Sequence, residues 1–546
     1  MAELARGKGP ALGPYATRFP LPERTMLHVL RARAAEQPDR TWLMFADGGR
    51  RLTFGAAQAR AHRFAHALLD ELGGPCHVGL FLRNQIEFLP ALYGAMAARG
   101  VAVPLNADSR GVLLQRVIEK SDVRVLVARA DLLERLEQLE GLGAVELIVA
   151  TGPASGLPAR VHGRRVVAHD AWLDGRPAGP AAELPDSSAV AIIQFTSGTT
   201  GESKGVVCPH HFFYLYSAIV SDGQGHTEDD VLSTPLPLFH VAAIHIVANS
   251  ALHAGCVGHL KPRFSARTFW REIADDGATF AILLGPLAQI LLKTAPAAPP
   301  HRLRKLFCLP FPADGEEFER RFGVTLLWQG YGMTEIYPHP MQAVMEPGVA
   351  YDTVGHAVEW MDYGAVDEHD RVLPAGEVGQ LVYRPRLPDA MARGYYKDPV
   401  ATTEALRNLM FHTGDLGFVD DEGRVHYRGR TQDRIRRRGE NVSATELEFI
   451  ALGHPAIVEA AAFGVPGEFG EHEIKLDVAS ADRDLDLREY HAWLEERLPR
   501  FMVPRYLERR DALPKSPSEK VQKHELINAP LDRPEVLVFE PAARTA

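Results

Sequence analysis

The sequence predicts an α/β protein: a large N-terminal region of parallel-sheet subdomains with a small β subdomain, then a small, separate α+β C-terminal domain. Three observations carry this expectation. Short apolar runs (HVGLFL, GVAVPL, VRVLVA, VELIVA) alternate with helical segments through the N-terminal part, and continuously apolar strands are those buried on both faces of a parallel sheet. From about Tyr351 the texture changes to short strands with Gly/Pro turns, namely VGHAV, AGEVGQLVYRP and RVHYRGR. After Arg430 the charged segment TQDRIRRRGEN precedes a mixed helix and strand pattern, which sets residues 431–546 apart from 1–430 as a second domain.

Taken in order, Glu23 to Leu72 reads as helix, extended segment, helix, with Phe64, Leu68 and Leu72 at four-residue spacing on one buried face. The strands named above follow, with helices through Tyr93 and near Leu113 between them. The pattern resumes at DVLSTPLPLF, TFAILL and VTLLWQGYG. In the C-terminal domain ATELEFIALGH and LREYHAWLEERLP read as helices, EAAAFGVP and IKLDVAS as strands, and LDRPEVLVFEPAARTA as a loosely held tail.

Composition narrows the classes. Hydrophobic residues at 46% and charged residues at 24% are ordinary globular values and argue against disorder. A net charge of −10 disfavours a nucleic-acid binder. The four cysteines, Cys76, Cys208, Cys256 and Cys308, form no C-x-x-C pair, which fits a reducing cytoplasm better than a disulfide framework or a zinc site. The N-terminus lacks the apolar stretch of a secretory signal. The longest apolar run, Ala278 to Leu292, is interrupted by Gly285, Pro286 and Gln289 and falls short of the roughly 18 residues of a membrane span.

The chemistry starts at FTSGTTGESKGVV, residues 195–207. Glycines let successive N–H groups face inward, Thr and Ser hydroxyls add donors, and Lys204 adds a point charge, a combination suited to phosphate. It is not the Walker A pattern, because Lys204 is followed by Gly205. The plainer alternative is a Ser/Thr/Gly surface loop. Further segments occur in fixed order: PLPLFH (235–240), QGYGMTE (329–335), HTGD (412–415), GRTQDRIRRRGEN (429–441) and PKSPSEK (514–520). Together with the loop they resemble the signature set of the adenylate-forming superfamily of acyl- and aryl-CoA ligases, luciferases and nonribosomal-peptide adenylation domains. The resemblance is strongest to the carnitine/crotonobetaine–CoA ligase-like branch.

That resemblance implies a reaction and a set of roles. A carboxylate attacks the α-phosphate of ATP, pyrophosphate leaves with Mg²⁺, and the adenylate then passes to the thiol of CoA. Thr196, Ser197, Gly198, Thr199, Thr200, Gly201 and Lys204 would grip the β- and γ-phosphates. Thr334 would donate to the α-phosphate and Glu335 would hold Mg²⁺. Asp415 and Arg430 would reach the ribose, and Tyr331 would lie near the adenine. Lys520 would bridge the attacking carboxylate and the α-phosphate as the catalytic cation. His240 would join the catalytic residues. Gln432 occupies the hinge about which the C-terminal domain turns between half-reactions, and Gly439 would line the pantetheine passage. The acid pocket would draw on His240, Val241, His245, Leu284, Gly285, Trp328, Met333, Tyr337 and His339, an aromatic, His-rich lining that favours a compact polar or aromatic acid over a long aliphatic one.

Simpler roles compete at single positions: a surface carboxylate for Glu335, a salt bridge in the β subdomain for Asp415 and Arg430, and a core tyrosine for Tyr331. Arg436, Arg437 and Arg438 read equally as CoA-phosphate contacts and as a solvated face. The sequence departs from the family at Cys308-Leu309-Pro310-Phe311-Pro312, where relatives carry a Gly-Gly-Ala-type turn, and at IYPHP after Glu335; both bear on the acid pocket. Two rival readings accompany the ligase. One is a CoA-independent adenylating enzyme serving a carrier protein or amine, or activating nitrite to diazotise an aryl amine. The other is a non-catalytic nucleotide binder. The expected partners are ATP, a small acid and CoA, with neither nucleic acid nor a membrane span; self-association as a homo-oligomer stays open.

Overall fold

The structure is a computed structural model that describes residues 3–45, 49–196, 203–309, 314–327, 329–339, 353–430, 434–437, 440–467, 472–480, 482, 485–498, 502–515 and 521–539. Two largely parallel sheets form the N-terminal body. The first runs in the order Lys204–Pro209, Val190–Thr196, Val101–Pro104, His77–Phe81, Val123–Arg129, Leu147–Thr151, Arg164–Ala168 and Arg160–Val161. The second runs Thr325–Leu327, Lys305–Leu309, Phe280–Leu284, Val231–Thr234, Val257–Leu260, Thr41–Phe45 and Arg50–Thr53. Antiparallel pairing occurs only at the edges of these two sheets among the described residues. The apolar runs are the parallel strands, buried on both faces as their composition requires.

Helices pack against the sheets in the positions that periodicity indicates. Phe54–Leu72 starts on Thr53, whose hydroxyl accepts the Ala56 N–H, and ends on Gly73 at a φ of +70°, a left-handed cap that suits glycine. It lies against Phe88–Ala97, a helix buried on all sides. The apolar run from Ala278 divides at Gly285 into a strand and the helix Gly285–Thr294. Among the described residues no helix is long and apolar enough to cross a membrane.

A third sheet, antiparallel throughout, runs Ala5–Arg6, Met361–Val366, Gly379–Pro385, Phe411–Val419, Val425–Arg430 and Thr353–Gly355. It is the small β subdomain expected from the Gly/Pro-punctuated strands. The C-terminal part has its own core, including Ile435, Leu447, Leu476 and Tyr490, around the sheet Ile457–Pro466, His472–Ser480, Tyr506–Arg510 and Val536–Val538.

The tail expectation is corrected here. Val536–Val538 pairs antiparallel with Tyr506–Arg510, Arg533 bridges Glu508 at 2.6 Å, and Phe539 stacks on His491 with centroids 3.6 Å apart. The chain returns to the sheet because VLV completes an otherwise open strand edge, a partner the linear sequence does not display.

Candidate active site

The phosphate-loop motif joins two antiparallel strands, with Thr196 opposite Lys204. A Walker loop would run from strand into helix; here Lys204 begins a strand, in keeping with the glycine that follows it. Residues Ser197, Gly198, Thr199, Thr200 and Gly201 lie outside the described residues. The segment 393–396 lies along the outer side of this strand: Arg393 N donates to Val207 O at 2.8 Å, Val207 N to Gly394 O at 2.9 Å and Tyr396 N to Gly205 O at 2.7 Å. It brings the Tyr395 ring beneath the Lys204 ammonium, with Nζ 5.0 Å from the ring centroid. The Tyr395 hydroxyl donates to Glu335 Oε1 at 2.9 Å. Burial, then the Glu335 charge, push the pKa of that phenol well above the usual range, so it stays protonated as a donor.

Glu335 sits at the tip of a tight hairpin. Tyr331 and His339 exchange both backbone hydrogen bonds, N to O at 3.0 and 3.2 Å, and Met333 N donates to Ile336 O at 2.8 Å, which leaves Thr334 and Glu335 at the turn. Ala392 N donates to the Glu335 carbonyl at 2.8 Å, fastening that turn to the 393–396 segment. At the other end of the hairpin the Tyr331 hydroxyl donates to Asp415 Oδ2 at 2.5 Å. Asp415 lies on Phe411–Val419 opposite Arg430; its N–H donates to Thr413 Oγ1 at 3.0 Å. Tyr331 and Asp415 are both buried, at 8% and 4% exposure, so this carboxylate is held in place by the tyrosine rather than by solvent. The Tyr331 ring packs against Tyr383 at 5.9 Å.

Of the residues expected to line the acid pocket, His240 ends the PLPLFH segment and Val241 follows it. Asn84 donates to Leu236 O and Lys261 O at 2.9 and 2.8 Å and accepts from Leu238 N at 2.8 Å, tying the segment to both parallel sheets. His240 is half-buried, and the buried Val241 leads into a widened helical turn over Ala242–Asn249 that carries His245. His245, Tyr216 and Tyr337 form one stack: Tyr216 lies 4.4 Å from His245 and 4.1 Å from Tyr337, with ring planes 16° and 4° apart. Phe213 meets His245 edge-on at 4.8 Å. Burial, then His240, lower the His245 pKa to about 3, so its ring is neutral. Leu284 is half-buried at the end of its strand, Gly285 opens the following helix, and Met333 is half-buried in the hairpin.

His339 is placed differently from its neighbours in sequence. It is fully buried beneath the hairpin, with Nε2 and the Tyr383 hydroxyl 2.9 Å apart. It also meets Tyr363 and Tyr331 edge-on. Trp328, Gln432, Gly439, Lys520, the Pro310–Pro312 turn and the Arg430 side chain lie outside the described residues. Lys515 and Val521, on either side of the PSEK segment, pair as an isolated bridge. Arg437 is neither a solvated face nor an open phosphate contact: it is buried and bridges Glu473 at 2.7 Å.

Sequence reasoning missed Tyr395, Tyr216 and Asn84. A doubled aromatic after glycine in RGYYKDP is the only local signal for the first. The other two look like ordinary core residues until the sheets assemble.

A hairpin ending in Lys204 thus meets, through Tyr395, the tip of a second hairpin that carries Glu335 and rests on Asp415. The AMP-binding enzyme family model matches residues 30–396, and the AMP-binding enzyme C-terminal domain model matches 446–520. The chain belongs to the AMP-binding enzyme family. It is 31% identical over 469 residues to crotonobetaine/carnitine–CoA ligase of Salmonella arizonae, spanning 82% of this chain and 88% of the relative. It is 30% identical over 517 residues to sulfoacetate–CoA ligase of Cupriavidus necator, spanning 92% and 97%. Its fold matches the anthranilate CoA ligase AuaEII in complex with anthranoyl-AMP at a TM-score of 0.83, over 94% of this chain and 98% of that one at 23% identity.

Proposed function

We propose that this enzyme is an ATP- and Mg²⁺-dependent ligase that activates a compact polar or aromatic carboxylic acid as its adenylate, releases pyrophosphate and transfers the acyl group to CoA. The observation that carries the reading is the hairpin 331–339, which holds Glu335 against the Lys204–Tyr395 pair at its tip and Asp415 at its base. Relatives that are CoA ligases along most of this chain support the same reaction.

Bringing a carboxylate to a phosphate sets anion against anion, so catalysis is mainly positioning and charge compensation. Lys204 places a cation beside the β- and γ-phosphates, and Thr334 donates to the α-phosphate. The Glu335 carboxylate supplies hard oxygen donors of the kind Mg²⁺ prefers, and the ion, when bound, neutralises charge on the departing pyrophosphate. Asp415, oriented by Tyr331, accepts the ribose hydroxyls. Lys520 bridges acid and α-phosphate. The C-terminal domain, residues 431–546, then turns about Gln432 and brings Gly439 to the thiol's path. The His245–Tyr216–Tyr337 stack fills space that a long chain would need, which favours a compact acid. Four buried free thiols suit a cytoplasmic enzyme.

The test is pyrophosphate release from Mg·ATP across small and aromatic acids, each with and without CoA, nitrite included, with Lys520→Ala as control. Release with an organic acid, raised by CoA and accompanied by a thioester, is expected. Turnover with nitrite, or indifference to CoA, would overturn the CoA-ligase assignment.

A further inference from the structure

Neither sequence motifs nor the reaction above assign a role to Tyr395, yet three contacts converge on it. Its ring faces the Lys204 ammonium at 5.0 Å, its hydroxyl donates to Glu335 Oε1 at 2.9 Å, and its backbone pairs with Val206 as a bridge. The residue beside it does something else: the Tyr396 hydroxyl donates to Asp122 at 2.8 Å. Only the first tyrosine of RGYYKDP therefore faces the nucleotide side. Its backbone is also fixed at both ends, because Ala392 holds the Glu335 carbonyl and Tyr396 holds Gly205, at 2.8 and 2.7 Å.

We propose that Tyr395 is a positioning residue for the ATP half-reaction, its hydroxyl orienting the Glu335 carboxylate for a divalent cation and its ring seating Lys204 for the phosphates. This rests on the reading of Lys204 and Glu335 given above. Opposite charges left to themselves would close on each other when ATP is absent. An aromatic ring between them, with its donor turned to the carboxylate and its π-face to the ammonium, holds each at a fixed place. The two functions separate by atom. The hydroxyl serves the carboxylate, and the ring serves the lysine.

The test uses the full-length enzyme as wild type, Tyr395→Phe and Tyr395→Leu, with α,β-methylene-ATP as a non-reacting nucleotide and Mn²⁺ as the cation, free Mn²⁺ being read by electron paramagnetic resonance. Thermal melting accompanies each variant. Losing a hydrogen bond to a charged group weakens Mn²⁺ binding by roughly 10-fold in Tyr395→Phe, while metal-free affinity for the analogue stays within about 2-fold because the ring remains. Tyr395→Leu weakens both, the metal-free nucleotide by roughly 3-fold, the order of one exposed cation–π contact. Wild-type Mn²⁺ binding in Tyr395→Phe overturns the proposal, as does an equal loss of both affinities in the two variants. Failure of the wild type to bind Mn²⁺ and the analogue would instead overturn the assignment of the site, and the proposal with it.

Discussion

Gly332 lies in the hairpin between Tyr331 and Thr334, and the structure leaves no room for a side chain there. A Cβ at this position would stand 2.3 Å from Tyr337 Cδ2, 3.2 Å from Tyr337 Cε2 and 3.3 Å from the Ile336 carbonyl oxygen. Carbon atoms in contact rest about 3.5 Å apart, so Gly332→Ala requires the ring or the hairpin to retreat by about 1 Å. The ring has little freedom to do so, because its face stacks on Tyr216 at 4.1 Å. Overpacking of this kind costs about 1–3 kcal/mol in stability. A shift of about 1 Å in Thr334 and Glu335 costs roughly 100-fold in turnover. Gly332→Ala should therefore lower kcat/KM for ATP in the pyrophosphate assay by roughly that factor. The double variant Gly332→Ala/Tyr337→Leu should recover part of the ATP loss by making room. Wild-type kcat/KM and melting temperature in Gly332→Ala would refute the steric argument. A double variant no better than the single one would refute the assignment of Tyr337 as the obstacle.

Two further outcomes follow from buried ionisable groups. Burial lowers His210, His245, His253 and His339 each to about 3. Each contributes stability that is full above the unfolded value of about 6.5 and is lost as pH falls towards its folded value, at about 1.4 kcal/mol per pH unit. The melting temperature should fall between pH 7.5 and 5.5, less steeply in His245→Gln; a flat profile would contradict this. In the C-terminal domain the fully buried Lys475 contacts Asp477 and Glu508 at 2.9 and 2.6 Å. Lys475→Met removes the central cation and leaves Asp477 to Arg510 and Glu508 to Arg510 and Arg533, at a cost of about 3 kcal/mol, the low end for a broken buried pair. Hydrogen exchange should show lost protection in Ile457–Pro466 and His472–Ser480 with Phe280–Leu284 unaffected, and unchanged protection would show the network to be dispensable.

Much of the architecture was legible because strands buried on both faces announce themselves as apolar runs, and HVGLFL, VRVLVA and VELIVA became neighbours in one sheet. Glycine spacing in the phosphate loop and the order of the short motifs pointed to nucleotide chemistry, since those residue types are demanded locally by backbone curvature and charge. Pairings across the fold were not legible. VLVF looked like a free tail until a strand edge received it, and Arg437 looked like one charge in a run until Glu473 was placed beside it.

The sequence alone determined the class of fold and the family, because propensity, periodicity and motif spacing act between residues close in the chain. Only the tertiary structure decided which groups meet. Tyr331 reaches Asp415 across 84 positions, and Tyr395 reaches Glu335 across 60. Tyr216 comes to lie against Tyr337 through packing between a helix and a distant hairpin. Such contacts depend on how whole sheets dock. Their free energy comes from burial and hydrogen bonding between segments far apart in sequence, a coupling that no local pattern encodes.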